Sequence, residues 1–142
     1  MTALFTVLLL LAQPVPASLD QIRSDGNPEH RAKWAVEFAA LAEKNAEAAY
    51  TRNEMTLVAV ELKNMQTAAE IARDAFAQTG KTPQRNAGPY KSAELRTQEI
   101  LVRLGDLERR MDSEERLVVE APRAKLQEIH DAWFDGIMSK KK

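Results

Sequence analysis

His30 and His130 are the two imidazoles of a chain that has no cysteine. That pair limits the chemistry available. A nucleophile with its general base needs several such groups converging, and neither a Gly-x-Ser-x-Gly elbow nor a His-Glu-x-x-His zinc motif is present. The Gly80, Lys81, Thr82 triplet lacks the upstream glycines that would wrap backbone amides around a phosphate. Di-metal carboxylate bundles need Glu three residues ahead of each His, and those positions hold Asn27 and Gln127. No catalytic residue, metal ligand set or cofactor is therefore expected. The one cofactor-binding candidate is His130, which could serve a non-covalent haem with Met55, Met65 or Met111 as the second axial ligand. Against that role, His130 follows Ile129 at the flank of an apolar stripe, where Leu126 and Trp133 occupy the space a porphyrin would need.

Charge placement says more than the net charge of −1. No acid occurs between Asp74 and Glu94, while Lys81, Arg85 and Lys91 fall in that interval and Lys140, Lys141 and Lys142 close the chain. These six cations form the candidate contact for an anionic partner. Glu54, Asp112, Glu114 and Glu115 would lie at the opposite end of an antiparallel bundle. Apolar Trp133, Phe134, Ile137 and Met138 beside the lysine tail suit an interfacial contact.

The elements that position these groups are helical. Asn27, Pro28 and Glu29 read as an N-cap, a proline at the first helical position and an acid in the first turn. Neither glycine nor proline follows until after Gln78, and the polar stretch Thr51, Arg52, Asn53 divides the run into helices over 28–51 and 54–78. Met55, Val58, Leu62, Met65, Ala69, Ala72 and Phe76 recur at steps of three and four, one continuous apolar face. Trp34, Phe38, Leu41 and Ala48 show the same spacing in the first helix, with Asn45 interrupting the seam. Two glycines and two prolines make 79–91 a basic loop. A third helix over 90–111 presents Ala93, Thr97, Ile100, Leu104, Leu107 and Met111, with Glu99 placed to pair with Arg103. Asp112 and Glu115 form a capping-box pair ahead of a fourth helix over 113–138, which buries Val119, Pro122, Leu126, Ile129 and Trp133. Pro122 should kink or divide it, giving a short helix over 113–120 and a longer one from 122 that Gly136 closes.

The expected fold is all-α, an up-down-up-down four-helix bundle in a single domain over 18–142, with a basic loop 79–91 and a basic tail 139–142. Ala49 and Tyr50 ahead of a polar turn resemble the hairpin of tetratricopeptide repeats. A TPR-like array of helical hairpins is thus the alternative, although no second copy recurs at the ~34-residue period.

Residues 1–17 give an address. Ala3 to Ala12 is an apolar run too short for the ~20 residues that cross a bilayer, and Val15 and Ala17 are small residues suited to signal-peptidase cleavage after Ala17. The expectation is an exported protein, periplasmic or extracellular. Its functional class is a non-enzymatic interaction or structural module that meets a protein or an anionic envelope component, with peripheral membrane contact and no nucleic acid. The alternatives are a bundle that holds haem, metal or a small apolar molecule, and a chaperone-like or scaffold module that forms a homo-oligomer through an exposed helix face; Ala48, Ala69, Ala72 and Ala93 are small enough for close helix approach and equally for lining a groove.

Overall fold

The first two helices start where a side chain satisfies an otherwise free amide. Ser18 Oγ accepts from the Gln21 amide at 3.2 Å and opens α1 (Leu19–Arg23), one turn ahead of the long helices. Asn27 Oδ1 accepts from the His30 amide at 3.1 Å and opens α2 (Pro28–Thr51), with Pro28 in the first turn as the sequence predicts. Asn53 then reverses the chain at φ 59°, a left-handed conformation that asparagine adopts more readily than other side chains. α3 (Met55–Gln78) follows, and Gly80 at φ 72° ends that run. α4 (Ala87–Arg110) and α5 (Leu117–Met138) complete the chain. This computed structural model describes residues 18–139, and all of its regular structure is α-helical. The export signal over 1–17 and Lys140, Lys141 and Lys142 lie outside the described residues.

α2 packs on α3, α4 on α5, α3 on α5 and α2 on α4, while α1 lies against α2 and α3 and buries Ile22 between them. Consecutive helices α3 and α4 do not pack on each other, so residues 79–86 carry the chain across one end of the molecule. One apolar core joins all five helices. Its contributions from α3, α4 and α5 are the faces expected from sequence, with Met55 half-buried at the edge.

Three readings need correction. The inner face of α2 is Ala32, Ala35, Val36, Ala39, Ala42, Ala46 and Ala49 rather than Trp34, Phe38, Leu41 and Ala48. Alanines let α2 and α3 approach closely, Trp34 and Phe38 are displaced to the flank, and Leu41 and Ala48 face solvent. Asn45 is exposed as well. The third helix starts at Ala87, not 90, because Pro89 is tolerated in a first turn whose amides have no intrahelical acceptor. The fourth is unbroken at Pro122 and begins at Leu117. Residues 113–116 are a turn held by the reciprocal Asp112–Glu115 pair, with bonds of 3.0 and 2.8 Å, and the following amides bond three residues back. Pro122 sits just inside this tightened start, where few helical bonds precede it to be lost.

Gly136 lies within α5 rather than closing it, and for a tertiary reason. A Cβ at this position would stand 2.7 Å from Pro83 Cγ and 2.9 Å from Pro83 Cβ, whereas one at Gly105 meets nothing nearer than the Arg109 guanidinium at 3.8 Å. Gly105→Ala is expected to stabilise the protein by up to about 1 kcal/mol through helix propensity. Gly136→Ala should instead destabilise it by about 1 kcal/mol, because a rigid ring must be displaced. Opposite shifts in thermal midpoint are the expected result; equal gains would mean that the loop does not bear on α5.

Candidate functional site

The Pro83–Gly136 approach seats the 79–86 connection against the last turns of α5. Beneath it three rings meet: Phe76 stacks on Tyr90 at 4.5 Å, and Trp133 meets Phe76 edge-on at 5.4 Å. The Tyr90 hydroxyl donates to the Lys81 carbonyl at 2.8 Å, and burial raises its pKa, so it stays a donor. This root holds Lys81, Arg85 and Lys91 at the end where α5 finishes. Their electrostatic states differ. Lys81 is paired with Glu29 at 3.1 Å, a partner from α2 that the local sequence does not reveal. Arg85 and Lys91 are exposed and have no side-chain partner among the described residues, and Lys33 of α2 is in the same condition. The apolar residues near the tail divide by face. Trp133 is buried and Ile137 packs against the core, while Phe134 and Met138, one turn apart, are 43% and 66% exposed.

Acids at the opposite end are interleaved with cations. Glu54 pairs with Arg52. The Tyr50 hydroxyl lies 2.9 Å from the Arg110 carbonyl and 3.0 Å from Glu115, and the Arg110 guanidinium stands 5.3 Å from the Tyr50 ring centre. Burial first, and Glu115 second, raise the Tyr50 pKa. The charge asymmetry between the two ends is therefore smaller than Glu54, Asp112, Glu114 and Glu115 alone suggest.

A polar seam that the sequence reading missed joins α2 to α4. Arg96 bonds both Glu37 oxygens at 3.1 and 3.2 Å and Glu99 at 2.8 Å. Seven residues on, Arg103 bonds Glu43 at 3.0 Å and Glu47 at 2.9 and 3.1 Å rather than pairing with Glu99. After another seven, Arg110 reaches Thr51 at 3.2 Å. These contacts advance together along both helices, so α2 and α4 run in the same direction, as in the flanking charge pairs of a coiled coil. The Arg96, Arg103, Arg110 spacing was the available signal. Glu43 is fully buried, and its Oε2 has no hydrogen-bond partner among the described residues. Burial, reinforced by Glu47 and opposed by Arg103, pushes its pKa up to about 8.

No family model, no curated protein and no solved structure matches the chain. His130 is more enclosed than its flank position implies, at 6% exposure. Its Nε2 lies 2.8 Å from Glu94 of α4 and its Nδ1 3.0 Å from Asp131, with the Phe134 ring stacked at 6.1 Å. Both nitrogens thus lie within hydrogen-bond reach of a carboxylate. The His130 bond first, and Gln127 second, lower the Asp131 pKa. To ligate a metal or haem, His130 would have to give up one of these bonds. Among the described residues no three His, Asp or Glu side chains converge as a metal site would require, and no helix is long and apolar enough to cross a membrane.

Proposed function

We propose that the protein is an exported, non-enzymatic interaction module, built as an up-down-up-down four-helix bundle, that docks its basic end on an anionic phospholipid surface. The carrying observation is the placement of exposed Phe134 and Met138 at the end that also holds the unneutralised Arg85 and Lys91. Apolar side chains beside cations suit an interface in which rings and thioethers enter the headgroup layer while ammonium and guanidinium groups meet phosphates. The tail residues Lys140, Lys141 and Lys142 follow Met138 by two to four positions and extend the same charge.

Each basic residue at an anionic surface contributes about 1 kcal/mol, so Arg85→Gln combined with Lys91→Gln should weaken binding roughly 10–30-fold. Sedimentation with phosphatidylglycerol vesicles is the measurement, and phosphatidylcholine vesicles are the control. Binding to both vesicle types alike, which an apolar segment such as Ala3–Ala12 would produce, overturns the reading. So does binding that the double variant leaves unchanged.

A further inference from the structure

Between the first three turns of α2 and α4 lies a cleft of about 280 Å³. The deep apolar part is Val36, Phe76 and Ala93, each no more than 5% exposed and each from a different helix, with half-buried Pro89 beside them. Its rim is polar but almost fully self-neutralised. Glu29 is taken by Lys81 at 3.1 Å, and Glu37 by Arg96 through two bonds. Two groups remain unengaged among the described residues, the Lys33 ammonium and the Ser92 hydroxyl, and they stand on opposite helices. Because α2 and α4 point the same way, the N-terminal ends of both flank the cleft and add to its preference for negative charge.

We propose that this cleft binds a small monoanionic amphipath, a carboxylic acid bearing one ring on a short arm, with the ring against Phe76 and the carboxylate between Lys33 and Ser92. Size supports the assignment. An apolar cavity of about 150 Å³ accepts benzene, so the volume here takes one ring and an arm of two or three atoms but falls at the lower edge for larger ligands. Charge supports it too. A cationic ligand would have to compete for carboxylates already paired, and a dianion would find one unpaired cation. A neutral ring would leave Lys33 and Ser92 without any gain from contact. The site does not depend on the lipid-surface reading, since Arg85, Phe134 and Met138 are not part of it.

The full chain, labelled at its alanine and valine methyls, would be titrated with 3-phenylpropionate and with the isosteric neutral 3-phenylpropanamide. Sub-millimolar binding of the acid is expected, with shifts centred on Ala93 and Val36. A charge-assisted hydrogen bond exceeds a neutral one by enough to favour the acid by about fivefold. Lys33→Gln should erase that preference, and Ser92→Trp, which fills the mouth of the cleft, should abolish binding of both compounds. Lys33 and Ser92 are exposed, so both variants retain the fold, which unshifted Ala39 and Val119 methyls would confirm. Absence of binding, equal affinity for acid and amide, a preference that survives Lys33→Gln, or shifts centred elsewhere would each overturn the proposal. Loss of vesicle binding with acid binding intact would fail only the lipid-surface reading.

Discussion

Trp133→Ala is expected to cost about 3–5 kcal/mol, which in a domain of this size lowers the melting temperature by roughly 10–20 °C. Trp133 is 5% exposed and meets Phe76 edge-on, and Phe76 in turn stacks on Tyr90. The rings come from α5, α3 and α4, so this cluster links helices that are not all neighbours in the chain. Removal of the indole leaves a cavity that its surroundings cannot easily fill, because the Tyr90 hydroxyl is tied to the Lys81 carbonyl and Pro83 is pressed on Gly136. The adjacent Phe134 behaves differently. It is 43% exposed and its ring contact is with His130, so Phe134→Ala should cost under about 1 kcal/mol while weakening adhesion to anionic vesicles. Urea denaturation followed by far-ultraviolet circular dichroism separates the two residues. A small loss for Trp133→Ala together with a large one for Phe134→Ala would show that the ring cluster does not hold this end.

Sequence periodicity locates a core face when large apolar side chains occupy it. Leu62 and Met65 in α3, Ile100 and Leu104 in α4, and Leu126 and Trp133 in α5 all stand at the expected steps and are buried. The same rule misleads in α2, where alanine recurs on several sides and the inner face is chosen by how closely α3 can approach. Side-chain size then points to Trp34 and Leu41, which that close approach excludes. The polar position of the seam moves with the face, from exposed Asn45 to buried Glu43. Pro122 and Gly136 fail for different reasons. Local rules end a helix at such residues, but Pro122 lies so near the tightened start of α5 that few helical bonds are lost, and Gly136 answers to the close approach of Pro83. Of the basic end, the cations are legible because no acid lies near them in sequence. Glu29 neutralises Lys81 from 52 positions away, and Arg103 reaches α2 rather than Glu99 on its own helix. Such pairings depend on which helices become neighbours, and that is set by the whole core.

Glu43→Gln should flatten the dependence of stability on pH. In the folded protein Glu43 holds its proton up to about pH 8, against an ordinary value of 4.5, chiefly because burial disfavours the carboxylate. Between these two pH values the folded state binds more protons than the unfolded state, so stability falls as pH rises through that window and levels off outside it. Each unit of pKa difference corresponds to about 1.4 kcal/mol, and water around the half-exposed Arg103 screens the seam, so a loss of about 2–4 kcal/mol is expected between pH 4.5 and 8.5. Arg103 stays cationic throughout, its pKa held up first by the Glu43 bond. Glutamine has no proton to lose there, and it keeps an acceptor for Arg103. The variant should therefore match the parent within about 1 kcal/mol at pH 4.5 and exceed it by about 2–4 kcal/mol at pH 8.5. Urea midpoints measured across this range decide the matter. Parallel losses in the two proteins would mean that another group sets the alkaline instability. Convergence at low pH with separation above neutrality would place it on the one carboxylate that the α2–α4 seam encloses.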